Sequence, residues 1–142
     1  RARIMHSVEN FERLVTMVPS PRNAICFCQG SFASMGVDIP GTIRRLGKHI
    51  QYVHCRNVRG TPTDFAETFH DNGPTDMAAA VQAYRDVGFQ GTLRPDHVPM
   101  FIGEGGEPGY TMLGRLFAYG YLRGLMHATV STTSQSSDRP TT

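Results

Sequence analysis

Apolar residues along this chain alternate between two rhythms. Val8, Phe11, Leu14, Val15 and Val18 recur at helical spacing behind Ser7, whose hydroxyl can cap a helix N-terminus. Pro19-Ser20-Pro21 ends that helix, because the residue before a proline avoids the α region. Ala24 to Cys28 is a short apolar run rich in strand formers, broken by Gln29-Gly30-Ser31. Asp38 then caps a second helix that tolerates Pro40 in its first turn, buries Ile43 and Leu46, and stops at Gly47. Ile50 to Cys55 reads as the next strand. Asn57 to Pro74 shows neither rhythm and is expected to be a long loop, a length that in compact domains often carries function. Thr75 is expected to cap a third helix with Met77, Ala80, Val81, Tyr84 and Val87 on one face and Gly88 as its stop. Gly91 to Arg94 is a third strand. The glycine-rich segment Val98–Gly109 reads as a mobile lid or surface loop. A last helix, from about Thr111 to Met126, carries Leu113, Leu116, Phe117, Tyr121, Leu122 and Leu125 over most of its surface.

One helix followed by strand–helix units predicts an α/β fold with a parallel sheet. The strands end in residues of the same chemical kind: Cys28, His54 and, just past Arg94-Pro95, Asp96. Residues of that kind at successive strand ends mark the carboxyl-end face of a β/α barrel. Three such units cannot close a barrel of eight strands, which needs roughly 250 residues. The expected fold is therefore a partial TIM-like (β/α)8 barrel, with residues 1–128 as its C-terminal three or so βα units. Residues 129–142 are Ser/Thr-rich and are expected to be a disordered tail. The chain opens Arg1-Ala2-Arg3, which suggests a piece of a longer protein.

Composition narrows the classes. A formal charge of +2 on 142 residues gives no footprint for nucleic acid. Lys48 is the only lysine and sits at a helix end, a poor place for Schiff-base chemistry. No apolar run reaches membrane-spanning length and no signal peptide is present. An odd set of cysteines, Cys26, Cys28 and Cys55, argues against a disulfide framework and for a reducing cytoplasm.

Cys28, His54 and Asp96 offer sulfur, nitrogen and oxygen, a mixed donor set that suits Mn²⁺, Fe²⁺ or Zn²⁺. Taken singly, each has a plainer reading: a small buried residue, a core hydrogen bond, a turn cap after Pro95. Their common position at strand ends is what joins them. Cys26 and Cys28 share a strand face, but no second cysteine pair supports a zinc ribbon. Arg56 and Arg94 are placed to clamp a substrate carboxylate, while Arg59 reads better as a solvated side chain. His70-Asp71 could hold substrate hydroxyls. His97 and Tyr110 can move protons.

His54-Cys55-Arg56-Asn57, Phe65-Ala66-Glu67-Thr68-Phe69-His70-Asp71, Arg94-Pro95-Asp96-His97-Val98-Pro99 and Gly114-Arg115-Leu116-Phe117-Ala118 closely resemble mannonate dehydratase, as do Pro19-Ser20-Pro21 and Phe27-Cys28-Gln29-Gly30. The likeness runs to about Ala128. It implies a barrel of the xylose-isomerase type, Mn²⁺ or Fe²⁺, and dehydration of D-mannonate to 2-dehydro-3-deoxy-D-gluconate in hexuronate (glucuronate) catabolism. In the family a cysteine, an aspartate and two histidines hold the metal. Cys28, Asp96 and His54 match three of these. The fourth belongs upstream, since His6 lacks the Asp- and Pro-rich motif around it. The resemblance also makes His97 and Tyr110 the acid/base pair; Arg56, Asn57, His70, Asp71 and Arg94 are the expected substrate-binding residues. On this reading the chain by itself is inactive, its small-molecule partner is D-mannonate, and its oligomeric state is open. The competing readings are another metal-dependent sugar isomerase or epimerase on the same barrel, or a non-catalytic fragment with an incomplete site.

Overall fold

The computed structural model describes residues 4–129. Helix α1 (Val8–Met17) starts where Ser7 Oγ accepts a hydrogen bond from the Asn10 amide at 3.3 Å. Strand β1 (Ile25–Cys28) follows. The expected break at Gln29-Gly30-Ser31 is instead the first turn of a short helix, α2 (Gln29–Ser34). Helix α3 (Ile39–Leu46) is capped by Asp38, whose carboxylate accepts from the Gly41 amide, and Pro40 sits in its first turn. Gly47 does not stop the chain's winding; a 3₁₀ turn (Gly47–His49) leads into β2 (Ile50–Cys55).

The segment expected to be a long loop contains an antiparallel hairpin, β3 (Asn57–Thr61) and β4 (Asp64–Thr68), with Asn57 opposite Thr68 and Thr61 opposite Asp64. Much of it is solvent-exposed, so its sequence carries no buried alternation to betray it. Helix α4 (Met77–Asp86) is capped by Asp76, not Thr75. The Thr75 backbone is held outside the helix: its amide donates to Asn57 Oδ1 and its carbonyl accepts from Asn57 Nδ2, each at 3.1 Å. Strand β5 (Thr92–Pro95) and helix α5 (Met112–Ala128) complete the order.

The sheet has the order β1-β2-β5 and is parallel throughout. Ile25, Phe27, Val53 and Cys55 are buried from its one face against Phe32, Ile43, Leu46, Ala80, Tyr84 and Leu122. Phe27 stacks on Phe32 with ring centroids 4.3 Å apart. Removing this apolar surface from water, at about 25 cal/mol per Å², is the main force holding helices to sheet. The alternate residues Cys26, Cys28, Tyr52, His54 and Arg94 point to the other face and are exposed or half-buried. Register puts Cys28 beside His54 and His54 beside Arg94, a row across the carboxyl ends of all three strands. On α5, Gly114, Ala118 and Leu122 pack inward, whereas Leu113 and Leu116 are exposed with Met112 and Tyr119. Gly114 is obligatory for that approach, since a β-carbon there would lie 2.6 Å from the Pro99 carbonyl.

Candidate metal and proton-transfer site

Each ligand candidate is set by a strand end. Cys28 is the last residue of β1, His54 lies in β2, and Asp96 follows β5 directly. One donor atom from each of Cys28, His54 and Asp96 lies within 4.8 Å of the others. Asp96 Oδ2 is 3.7 Å from His54 Nδ1 and 4.0 Å from Cys28 Sγ. Those spacings are close to the edges of a tetrahedron with metal bonds of about 2.0–2.3 Å. The residues present fit a divalent ion, as three donors with further positions open. Among the described residues no fourth His, Cys, Asp or Glu joins the group. Burial pushes the His54 imidazole below its ordinary pKa, with Asp96 opposing and Arg94 and Arg56 assisting. That favours the neutral ring, the form that ligates metals. Cys26, the other cysteine on this face, stands 3.9 Å from His54 Nε2, and burial raises its thiol pKa. Cys55 faces the core, its thiol pushed up to about 12 by burial, and is inert.

Two arginines flank Asp96, which is 6% exposed. Arg94 Nη2 is 3.3 Å from Asp96 Oδ1 and 3.3 Å from His54 Nε2. Arg56 Nη1 is 3.6 Å from Asp96 Oδ2 and 3.7 Å from Cys28 Sγ. The rest of the Arg56 guanidinium donates to Glu67, with Nη2 to Oε1 and Nε to Oε2. Ser31 Oγ donates to Cys28 Sγ at 3.1 Å.

The proton-active pair lies beside this group. His97 Nε2 and the Tyr110 hydroxyl are 2.7 Å apart. The glycine-rich segment that separates them in sequence closes on itself, the Val98 amide donating to the Gly109 carbonyl at 3.0 Å. Glu104 pins it further by accepting from the Phe101 and Leu113 amides. It is a surface loop that carries Tyr110 back to His97.

The expected substrate residues divide. Arg94 is half-buried on the site face and Asp71 is exposed, beside a hollow of about 340 Å³ lined by Phe69, Asn72, Phe101 and Phe117. Asn57, His70 and Arg56 are buried and engaged with the protein itself. Asn57 is 1% exposed and spends its amide on the His70 and Thr75 backbones. His70 is 1% exposed, with Nε2 bonded to the Cys55 carbonyl at 2.7 Å. Through these bonds both brace the segment around the hairpin. Arg56 is 6% exposed, with Nε and Nη2 donating to Glu67 and Nη1 turned toward Asp96 and Cys28. Arg59 is exposed, as its solvated reading has it. Glu67 was not picked out from the sequence as a site residue. It joins Arg56 to His97, whose Nδ1 lies 3.4 Å from Glu67 Oε1.

Convergent S, N and O donors beside a histidine–tyrosine pair, at the carboxyl ends of parallel strands, define an α/β protein with a candidate metal-binding triad. Comparison with known proteins gives the family. The family model described as D-mannonate dehydratase (UxuA) matches residues 2–136. The chain belongs to the mannonate dehydratase family. It is 38% identical over 128 residues to mannonate dehydratase from Oceanobacillus iheyensis, covering 87% of this chain and 37% of that protein. It is 40% identical over 135 residues to mannonate dehydratase 2 from Halalkalibacterium halodurans, covering 91% of this chain and 39% of that one. The crystal structure of mannonate dehydratase from Streptococcus suis serotype 2 superposes with a TM-score of 0.83 at 31% identity, over 99% of this chain and 44% of that chain. The chain thus spans less than half the length of these relatives.

Proposed function

We propose that this chain is the C-terminal part of a TIM-like barrel of the xylose-isomerase type that dehydrates D-mannonate to 2-dehydro-3-deoxy-D-gluconate and water. The observation that carries the reading is the donor group Cys28, His54 and Asp96 standing next to the His97–Tyr110 pair. Cys28, His54 and Asp96 would hold Mn²⁺ or Fe²⁺, with a further ligand from outside the described residues. Bound there, the divalent ion would offset the negative charge that builds at the substrate carboxylate when the C2 proton leaves. Arg94 would meet the same carboxylate by hydrogen bonds, and Asp71, exposed just after β4, would accept from sugar hydroxyls.

The reaction takes a proton from C2 and loses hydroxide, with a proton, from C3 as water; the resulting enol becomes the 2-keto acid. His97 Nε2 and the Tyr110 hydroxyl share these two proton movements, and their 2.7 Å separation lets a proton pass between them. The loop from Val98 to Gly109 closes on itself and so returns Tyr110 to His97. Among the described residues no helix is long and apolar enough to cross a membrane. The substrate is a small sugar acid, and the proposed location is the cytoplasm. The test is to supply the full-length protein with Mn²⁺ or Fe²⁺ and D-mannonate. Formation of a 2-keto-3-deoxy acid is expected. Formation of a simple ketose or an epimer would replace this reading with that of a sugar isomerase.

A further inference from the structure

Glu67 lies in β4, an element for which the ligand set and the proton-active pair have no evident need. Its carboxylate is held at both oxygens by Arg56, with Nε donating to Oε2 and Nη2 to Oε1. Arg56 is itself closely packed: 6% exposed, with its stem against Gly30, where a β-carbon would lie 2.4 Å from Arg56 Cγ. The fixed Oε1 also faces His97 Nδ1 at 3.4 Å, and on the far side of the ring Nε2 meets the Tyr110 hydroxyl at 2.7 Å. Resting on the proposed proton-transfer role of His97, we infer that Glu67 is a positioning residue that sets the His97 tautomer.

The argument is one of donors and acceptors. A carboxylate accepts only, so the ring nitrogen nearest it, 3.4 Å away, is the one that gains by carrying the hydrogen. A neutral imidazole has one N–H, so Nε2 is left with its lone pair aimed at Tyr110. The Tyr110 hydroxyl then donates to Nε2, and the resting pair has a defined direction, phenol to imidazole. Without Glu67 the ring is free to put its hydrogen on Nε2, which offers the phenol a donor and removes the basic site. A carboxylate behind a histidine performs the same service in the Ser-His-Asp triad. The hairpin β3–β4 thereby acquires a purpose: it carries Glu67 from Asn57's strand back under His97.

The test reads the tautomer directly, without substrate or metal. Ring ¹⁵N NMR of the full-length protein, with His97 assigned by its absence in His97→Asn, is expected to show the Nδ1–H form at a pH where the imidazole is neutral. In Glu67→Met, which keeps length but not charge, His97 is expected to change to the Nε2–H form. Its kcat is expected to fall roughly tenfold or more, with KM for D-mannonate within about twofold of the parent, the pattern of a lost transition-state contact. An Nε2–H ring in the parent, or an unchanged Nδ1–H ring in Glu67→Met, overturns the inference. If Glu67→Met does not fold, the parent's tautomer alone decides. A tautomer switch in a protein that leaves D-mannonate untouched would strike the proposed function and leave this inference standing.

Discussion

Gly30 and Arg56 occupy each other's space: a β-carbon on Gly30 would lie 2.4 Å from Arg56 Cγ and 2.7 Å from its Cδ. The absence of a side chain at one position therefore fixes the course of the other. Arg56 in turn spans Glu67, Asp96 and Cys28, so the fit is transmitted to the site. Gly30→Ala is expected to destabilise by about 1–3 kcal/mol, the usual cost of overpacking a closed contact. Urea denaturation would show the midpoint falling without a change in slope. A midpoint equal to the parent's would show that Arg56 moves aside freely.

Cys28 and Cys26 separate a ligand from a bystander. In the full-length protein Cys28→Ser is expected to weaken Mn²⁺ binding by about a hundredfold or more, beyond the tenfold to hundredfold loss typical of groups that only bond to a ligand. Cys26→Ser should change it little, since its thiol stands outside the donor group. Equilibrium dialysis against graded Mn²⁺ measures both. Equal losses would remove Cys28 from the ligand set.

His97 adjoins Asp96 in sequence but bonds to Tyr110. His97→Asn is expected to keep the bound metal near the parent's level while turnover falls about a hundredfold or more, the scale of a lost acid/base group. Metal analysis on the purified variant distinguishes the roles. Loss of metal together with activity would make His97 a ligand.

His70 gives the fold a pH dependence. Burial holds its imidazole below the ordinary pKa of about 6.5. Its Nε2 is bonded to the Cys55 carbonyl and its buried Nδ1 has no partner, so a second proton would sit unbonded. The folded state binds fewer protons than the unfolded one. The contribution is therefore complete above about pH 6.5 and is lost as pH falls through the depressed folded value. Denaturation midpoints followed downward from pH 7.5 should decline, and decline less steeply in His70→Gln. Parallel acid limbs in the two proteins would dismiss His70 as the cause.

The 142-residue chain alone is expected not to dehydrate D-mannonate. Strands β1 and β5 stand at the two edges of its sheet, where unpaired backbone groups invite other strands. Its donor group has three members among the described residues. Expressing residues 1–142 beside the full-length protein, each with Mn²⁺, settles this by 2-keto-3-deoxy acid formation. Equal activity would show that the site is complete within this chain.

Local physics made much of the molecule legible in its sequence. Apolar periodicity gave α1, α3, α4 and α5 their places, and Ser7 and Asp38 announced their helices because capping needs only a side chain three residues from an amide. The parallel order followed from strands alternating with helices, and Cys28, His54 and Asp96 were visible as a set because strand ends in such a sheet share one edge. What depends on distant residues was not legible. The hairpin β3–β4 is exposed and has no buried rhythm to read. Thr75 and Asp76 are both fit to cap α4, and Asn57's bonds to the Thr75 backbone decided between them. Asn57, His70 and Arg56 look like substrate residues in one dimension, yet packing turns their polar atoms toward backbone or Glu67. Glu67 itself is thirty residues from His97 in the numbering, and only the fold brings its carboxylate within 3.4 Å of that ring.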